Sequence, residues 1–257
     1  MKPNTPATSS EPTPPWRDRR GFMAAGAAAM TGLLISPGVR LIVFALAAST
    51  PAASGANPKV RWGLLVDTNA CAPGCDACVR ACRTENGLPQ NPGPTDAQWI
   101  RKIEIRELRT GKTQSLPVMC QHCAEPPCVD VCPTGASFKR VDGIVLVDKH
   151  ICIGCRYCVM ACPYKARSFV HEPLSGQKPD VPRGQGTVEG CTLCVHRVDR
   201  GESPACVQAC AAQAQGAMVF GDLNDPQSEI SLRLERYATR ALREDLQLNT
   251  GVRYAGL

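Results

Sequence analysis

The chain has 257 residues, 44% of them hydrophobic but only 5% aromatic, with 22 Gly, 22 Pro and 16 Cys. That length allows one or two domains and a buried core, yet large apolar side chains are too few for an ordinary one, so the loops are expected to wrap something inorganic. The formal charge of +6 is too modest to argue for nucleic acid or an anionic membrane, and residues 1–49, with five Lys or Arg against two Asp or Glu, hold half of the excess.

Residues 1–16 are rich in Pro, Ser and Thr without apolar periodicity, the composition of a segment that does not fold. Arg19-Arg20-Gly21-Phe22-Met23 and the Ala-rich apolar runs that follow resemble a twin-arginine (Tat) export signal over residues 1–49. Small residues at Ala47, Ser49 and Ala56 offer cleavage points. A retained membrane anchor is the alternative, since residues 21–49 could span a bilayer, but Pro37 and Arg40 interrupt the run. The reading adopted is a cleaved signal and a periplasmic protein.

Residues 60–67 form a β-rich run that ends at a turn and delivers the chain to Cys71, Cys75, Cys78 and Cys82. The first gap of this block holds three residues, which a turn at Pro73-Gly74 can absorb; Cys71 is where the pattern departs. Residues 84–98 read as a polar loop. Residues 99–108 and 113–118 flank Thr110-Gly111-Lys112 as a hairpin leading to Cys120, Cys123, Cys128, Cys132 and Pro133. Residues 137–141 and 144–147 flank Asp142-Gly143, a two-residue hairpin turn, and lead to Cys152, Cys155, Cys158, Cys162 and Pro163. A strand to His171 and an exposed Gly- and Pro-rich segment, 172–190, precede Cys191 and Cys194, and eleven further residues lead to Cys206 and Cys210. Residues 219–222 read as a closing strand. Asp225-Pro226 starts a helix whose apolar stripe is Ile230, Leu234, Tyr237, Ala241 and Leu242; it is amphipathic and too polar to cross a membrane.

The third cysteine block has the CxxCxxCxxxCP spacing that ligates 4Fe-4S clusters, and the second differs by two extra residues between its second and third cysteines. Three closely spaced thiolates cap one cubane, while the fourth cysteine, at the start of a helix leading away, reaches its neighbour. This crossover predicts one central cluster on Cys120, Cys123, Cys128 and Cys162 and another on Cys152, Cys155, Cys158 and Cys132. The outer blocks pair in the same way, as Cys71, Cys75, Cys78 and Cys210 and as Cys191, Cys194, Cys206 and Cys82. Four clusters consume all sixteen cysteines and, at about −2 each, bring the mature protein to about −5. Their removal is expected to unfold the domain.

Zinc knuckles would also consume sixteen cysteines, making a zinc-stapled interaction module, but they do not call for triple-cysteine loops followed by CxxxCP. Disulfides suit an exported chain, yet cysteines three apart bridge poorly, and the twin-arginine route carries proteins already folded around their cofactors. His122, Arg156, Tyr157, Lys165 and Arg167 could tune potentials through charge or hydrogen bonds, though surface or packing roles suit each of them too. There is no haem-attachment CxxCH, no nucleotide loop and no nucleophile–base pair at recognisable spacing. No catalytic residue is therefore assigned; an open iron left by Cys71 would mark the enzyme alternative.

The four blocks in this order, with CVDVCPTGASFKR, CIGCRYCVMACPYKAR and FGDLNDP, resemble the four-cluster ferredoxin-type subunits of membrane-associated oxidoreductases over about residues 60–225. Dimethyl sulfoxide, polysulfide and tetrathionate reductases carry such subunits. Within that family the leader and the CAPGC variant are most similar to the DsrO type, the periplasmic iron–sulfur subunits of sulfite-reductase-linked Dsr (DsrMKJOP) complexes; NrfC-type subunits share the layout. The fold expected is α+β, with two bacterial-ferredoxin-like pseudo-repeats around four 4Fe-4S clusters at 58–225, short hairpins, and a C-terminal amphipathic helix and tail at 226–257. The resemblance implies an electron-transfer subunit without a substrate of its own, partnered by an NrfD-like quinone-interacting membrane subunit and a periplasmic cytochrome c. A molybdoenzyme beta subunit is the alternative within the same class.

Overall fold

The computed structural model describes residues 55–213 and 216–257; the expected signal region lies outside them. Its organising sheet is built on β1 (Trp62–Asp67), whose Leu64, Leu65 and Val66 are all buried. A run apolar at every position must be covered on both faces. β8 (Met218–Asp222) pairs with β1 antiparallel and β10 (Val252–Ala255) pairs with it parallel, placing Leu64 between Phe220 and Val252. β9 (Thr239–Arg240) adds the edge beyond β10, giving the order β8-β1-β10-β9. Leu64 and Val66 enter the main cysteine-containing core, whereas Leu65 packs with Val219, Ile230 and Ala255 under the helix α6 (Glu229–Arg236).

Two features of the C-terminal segment correct the sequence reading. The helix runs for eight residues from a Ser228 cap whose hydroxyl accepts the Ser231 N–H at 3.3 Å, and it ends at Arg236. Tyr237, Ala241 and Leu242 therefore do not continue its stripe. Pairing of Thr239 and Arg240 with β10 draws the chain into the sheet, and Leu242 packs against both cysteine-rich cores. Nor is 226–257 a tail: its β10 lies between β1 and β9, and Tyr254 is fully buried.

Beside the sheet, α1 (Ala77–Asn86) packs on α5 (Ala205–Gln213). Gly87 ends α1 in the left-handed conformation, its N–H returning to the Arg83 carbonyl. The remaining elements are short: the hairpins β2 (Arg101–Arg106) with β3 (Thr113–Val118), β4 (Ser137–Lys139) with β5 (Val145–Val147) and β6 (Ser168–Phe169) with β7 (Val188–Glu189), and the helices α2 (Pro127–Asp130), α3 (Tyr157–Ala161) and α4 (Val195–Val198). α2 packs on α3, as α1 does on α5.

The β4–β5 loop differs from the two-residue turn expected of Asp142-Gly143. Arg140 N–H bonds the Ile144 carbonyl at 2.8 Å and Gly143 N–H bonds the Arg140 carbonyl at 3.0 Å, so Val141, Asp142 and Gly143 make a three-residue loop closed by Gly143 at φ +87°. The 172–190 segment is likewise not exposed throughout. It returns to the core at Val181, Val188 and a fully buried Glu189, whose carboxylate receives Arg183 Nη2 at 2.8 Å and Trp99 Nε1 at 3.2 Å.

Gly154 lies in the third cysteine block at φ +69°, where a Cβ would collide with the Gly186 carbonyl oxygen. Gly154→Ala should lower thermal stability by at least about 1–2 kcal/mol, the cost of a left-handed L-residue before any clash is added. Parallel unfolding of both proteins, followed by circular dichroism, checks this.

Candidate iron–sulfur centres

Helix periodicity explains how one helix serves two sites. Residues four apart lie on one face a turn apart, so Cys78 and Cys82 on α1 stand in line, as do Cys206 and Cys210 on α5. The helix thus begins at or just before the third cysteine of a block, not at the fourth as the spacing suggested, and in α1 and α5 it continues past the fourth. In the central pair Cys158 lies within α3 and Cys162 caps its C-terminus, while Cys128 lies within α2 and Cys132 follows it.

The sixteen cysteines, all among the described residues, form no disulfide. They gather in four quartets. Cys82, Cys191, Cys194 and Cys206 line one cavity with Asn86 and Thr192. Another is lined by Cys120, Cys123, Cys128 and Cys162 with Tyr164 and Arg167, and a third by Cys132, Cys152, Cys155 and Cys158. Cys71, Cys75, Cys78 and Cys210 make the remaining group, each of the other three lying within charge range of Cys78. The quartets also adjoin one another: Cys206 is in range of Cys78, Cys191 of Cys120, and Cys158 of Cys128. Cys155 is exposed at one end of this series, and Cys71 and Cys75 are half-buried at the other.

The donor set suits polynuclear clusters. Four sulfurs on one zinc ion would each sit about 2.3 Å from it, but among the described residues no His, Cys, Asp or Glu side chains converge closely enough to hold a single ion. In three of the quartets the sulfurs instead surround small cavities, and buried donors stand beside them. Thr192 Oγ1 has no hydrogen-bond partner, and the Tyr164 hydroxyl, which also finds none of normal geometry, lies beside Cys123. Bound sulfide would supply the missing acceptors.

Backbone N–H groups are directed at the cysteine sulfurs, from Ser137 to Cys132 at 3.3 Å, Val188 to Cys152 at 3.4 Å, Leu193 to Cys191 at 3.4 Å and Ala166 to Cys162 at 3.5 Å. Left-handed backbone at His122, Arg156, Leu193, Cys194 and Lys165 curls these loops inward, and each such residue costs about 1–3 kcal/mol unless its surroundings impose it. Burial and then the neighbouring thiols push Cys78 up to about 12 and Cys123 up to about 12. Burial also raises Cys82 and Cys206 well above the ordinary thiol value. Cys132 goes the other way: the Ser137 N–H and the Thr134 hydroxyl outweigh its slight burial and lower its pKa. Without metal, thiolates gathered in these quartets would repel one another with little counter-charge beyond Arg167 and Lys102.

Of the other residues singled out in the sequence, His122 is buried and accepts the Val145 N–H on Nδ1 at 3.0 Å, so its proton sits on Nε2. Burial, then Arg167, lowers its pKa to about 3 and keeps it neutral. Arg156 stacks over Phe169, 4.2 Å from the ring centre, and Tyr157 is exposed. Arg167 is buried, with Nη2 3.4 Å from Cys128 Sγ. Sequence reasoning missed Asn86, whose Nδ2 lies 3.6 Å from Cys82 Sγ; its place four residues after Cys82 on the same helix face was the available signal.

Cysteine quartets wrapped by short hairpins and helices define a ferredoxin-type iron–sulfur protein. Residues 112–223 match the 4Fe-4S dicluster domain family. The chain is 40% identical to the Hdr-like menaquinol oxidoreductase iron-sulfur subunit 1 of Archaeoglobus fulgidus over 93% of its own length and 98% of that protein's. It is 38% identical to the B component of the tetrathionate reductase of Salmonella typhimurium, over 78% and 74% of the two chains, and 41% identical to NrfC of Escherichia coli, over 70% and 74%. The chain belongs to this family of iron–sulfur electron-transfer subunits of membrane-associated oxidoreductase complexes.

One ion-pair cluster braces the quartet of Cys82. Glu85 on α1 receives Arg197 Nη1 at 3.2 Å and lies 2.8 Å from His196 Nε2, tying α1 to α4. Partial burial opposes its charge, but His196 and Arg197 outweigh this and hold its pKa below the ordinary 4.5. A carboxylate with a depressed folded pKa stabilises the fold above its unfolded pKa and loses that contribution as pH falls through the folded value. Glu85→Gln should therefore cost about 1–3 kcal/mol at pH 7. Thermal unfolding of both proteins from pH 7 downward should show the gap closing below about pH 4.

Proposed function

We propose that each quartet holds one 4Fe-4S cluster and that the chain passes single electrons along the series as the periplasmic iron–sulfur subunit of a membrane-bound respiratory complex. The observation that carries this reading is the order of the quartets, each adjoining the next, with buried sulfurs in the middle and the more accessible ones at the ends. A bound 4Fe-4S cluster takes and gives one electron at a time, at a potential set by charge, hydrogen bonding and burial. The sixteen thiolates would bind the iron, the inward N–H groups would stabilise negative charge on sulfur, and Met119, Val145, Val188 and Tyr254 would exclude water from the interior. No residue is assigned a substrate or a catalytic step.

The Archaeoglobus relative is named for menaquinol oxidation. We infer that the chain relays electrons between a quinone-reactive, NrfD-like membrane subunit and redox partners within a sulfur-metabolising, Dsr-type complex, with a periplasmic cytochrome c as a further partner. Export by the twin-arginine route fits clusters inserted before translocation, and among the described residues no helix is long and apolar enough to cross a membrane. Comparable identity to NrfC and to the tetrathionate reductase component favours a second reading, the equivalent subunit of another respiratory oxidoreductase.

Protein purified without oxygen should contain about sixteen irons and sixteen sulfides per chain and become paramagnetic on reduction. Correctly folded protein lacking both would overturn the cluster reading. Cys71→Ser should lose between one and four of the irons, and unchanged iron would remove Cys71 from the ligand set.

A further inference from the structure

Directly after Cys162 the chain turns back on itself. Lys165 N–H bonds the Cys162 carbonyl at 3.1 Å, Lys165 takes the left-handed conformation, and Ala166 N–H points at Cys162 Sγ. This turn sends Arg167 inward, where it is 6% exposed. Its Nη2 is 3.4 Å from Cys128 Sγ in one central quartet and donates at 3.2 Å to the Ser137 hydroxyl. Ser137, 2% exposed, donates its own backbone N–H at 3.3 Å to Cys132 Sγ in the other central quartet. A continuous hydrogen-bonded path thus runs from Cys128 through Arg167 and Ser137 to Cys132. A buried guanidinium would ordinarily be satisfied by a carboxylate; these bonds go to a sulfur and a hydroxyl.

We propose that Arg167 and Ser137 form a polar bridge between the two central clusters, in which the guanidinium raises the electron affinity of both. The proposal rests on the four-cluster reading above. Each reduction adds one negative charge to a cluster and makes or breaks no bond, and Arg167, always protonated, exchanges no proton with it. A fixed cation in a poorly screened interior stabilises that added charge. Because the same cation lies in range of Cys120 and Cys128 on one side and Cys158 on the other, it also offsets the repulsion that an electron on one cluster exerts on the next. Ser137 holds the guanidinium in that position while anchoring Cys132.

The test is a potentiometric titration of the full-length, cluster-loaded protein, followed by electron paramagnetic resonance, with iron and sulfide counted first. In Arg167→Met, two of the four midpoints should fall by at least the equivalent of tenfold weaker electron binding, about 59 mV for a one-electron couple, while the other two stay in place. Ser137→Ala, which keeps the charge and every cysteine, should lower the same two by less. Four unmoved midpoints in a fully loaded Arg167→Met protein would overturn the bridge. If that variant loads less iron than the parent, Ser137→Ala decides, a fall in two midpoints supporting the bridge and unmoved midpoints overturning it. A parent protein without iron or sulfide would instead remove the proposed function itself.

Discussion

Collected negative charge governs how this protein is built. Sixteen sulfurs stand in four groups, most of them buried, in surroundings that favour the protonated thiol for cysteines such as Cys78, Cys82 and Cys206. Thiolates survive there only with positive charge among them, which is what an iron–sulfur core supplies when its ligands release their protons. The polypeptide adds smaller contributions of the same sign, through backbone N–H groups aimed at sulfur and through the buried Arg167.

That constraint accounts for the economy of the fold. A helix turn separates Cys78 from Cys82 and Cys206 from Cys210, so two packed helices reach two sites each. The apolar core is correspondingly built around cysteines. Trp99, Met119 and Tyr254 share one core with Cys78, Cys82, Cys206 and Cys210, and Val145 and Val188 share another with the central quartets. Cys191 and Leu242 touch both. With 5% aromatic residues, the chain relies on its sulfur sites for order that hydrocarbon supplies elsewhere.

The groups of cysteines were legible in the sequence because ligand spacing is a local property: three thiolates on one tight loop leave little freedom, and the fourth follows at a helical interval. β1, β8 and the β2–β3 hairpin were legible for the same kind of reason, as apolar or alternating runs bounded by turns. What escaped was decided at a distance. β10 is four residues with one charge among them, and only its partner β1, almost the whole described chain away, makes it a central strand. The helix at 229 stops because residues 239 and 240 find that strand, an outcome the apolar stripe cannot reveal. Glu189 looked like part of an exposed loop until Arg183 and Trp99 closed over it. Arg167 is 39 residues from Cys128 and 30 from Ser137, so nothing in its neighbourhood announced either.

The parallel pairing of Leu64 with Val252 bears on the order in which this protein is assembled. Every cysteine lies in the stretch between those two strands, and contacts between residues so remote in the chain form slowly, because a long loop must close before any gain is made. The sheet is accordingly expected to close late in folding. Closure in that order would leave the cysteine loops open to iron until the two strands meet.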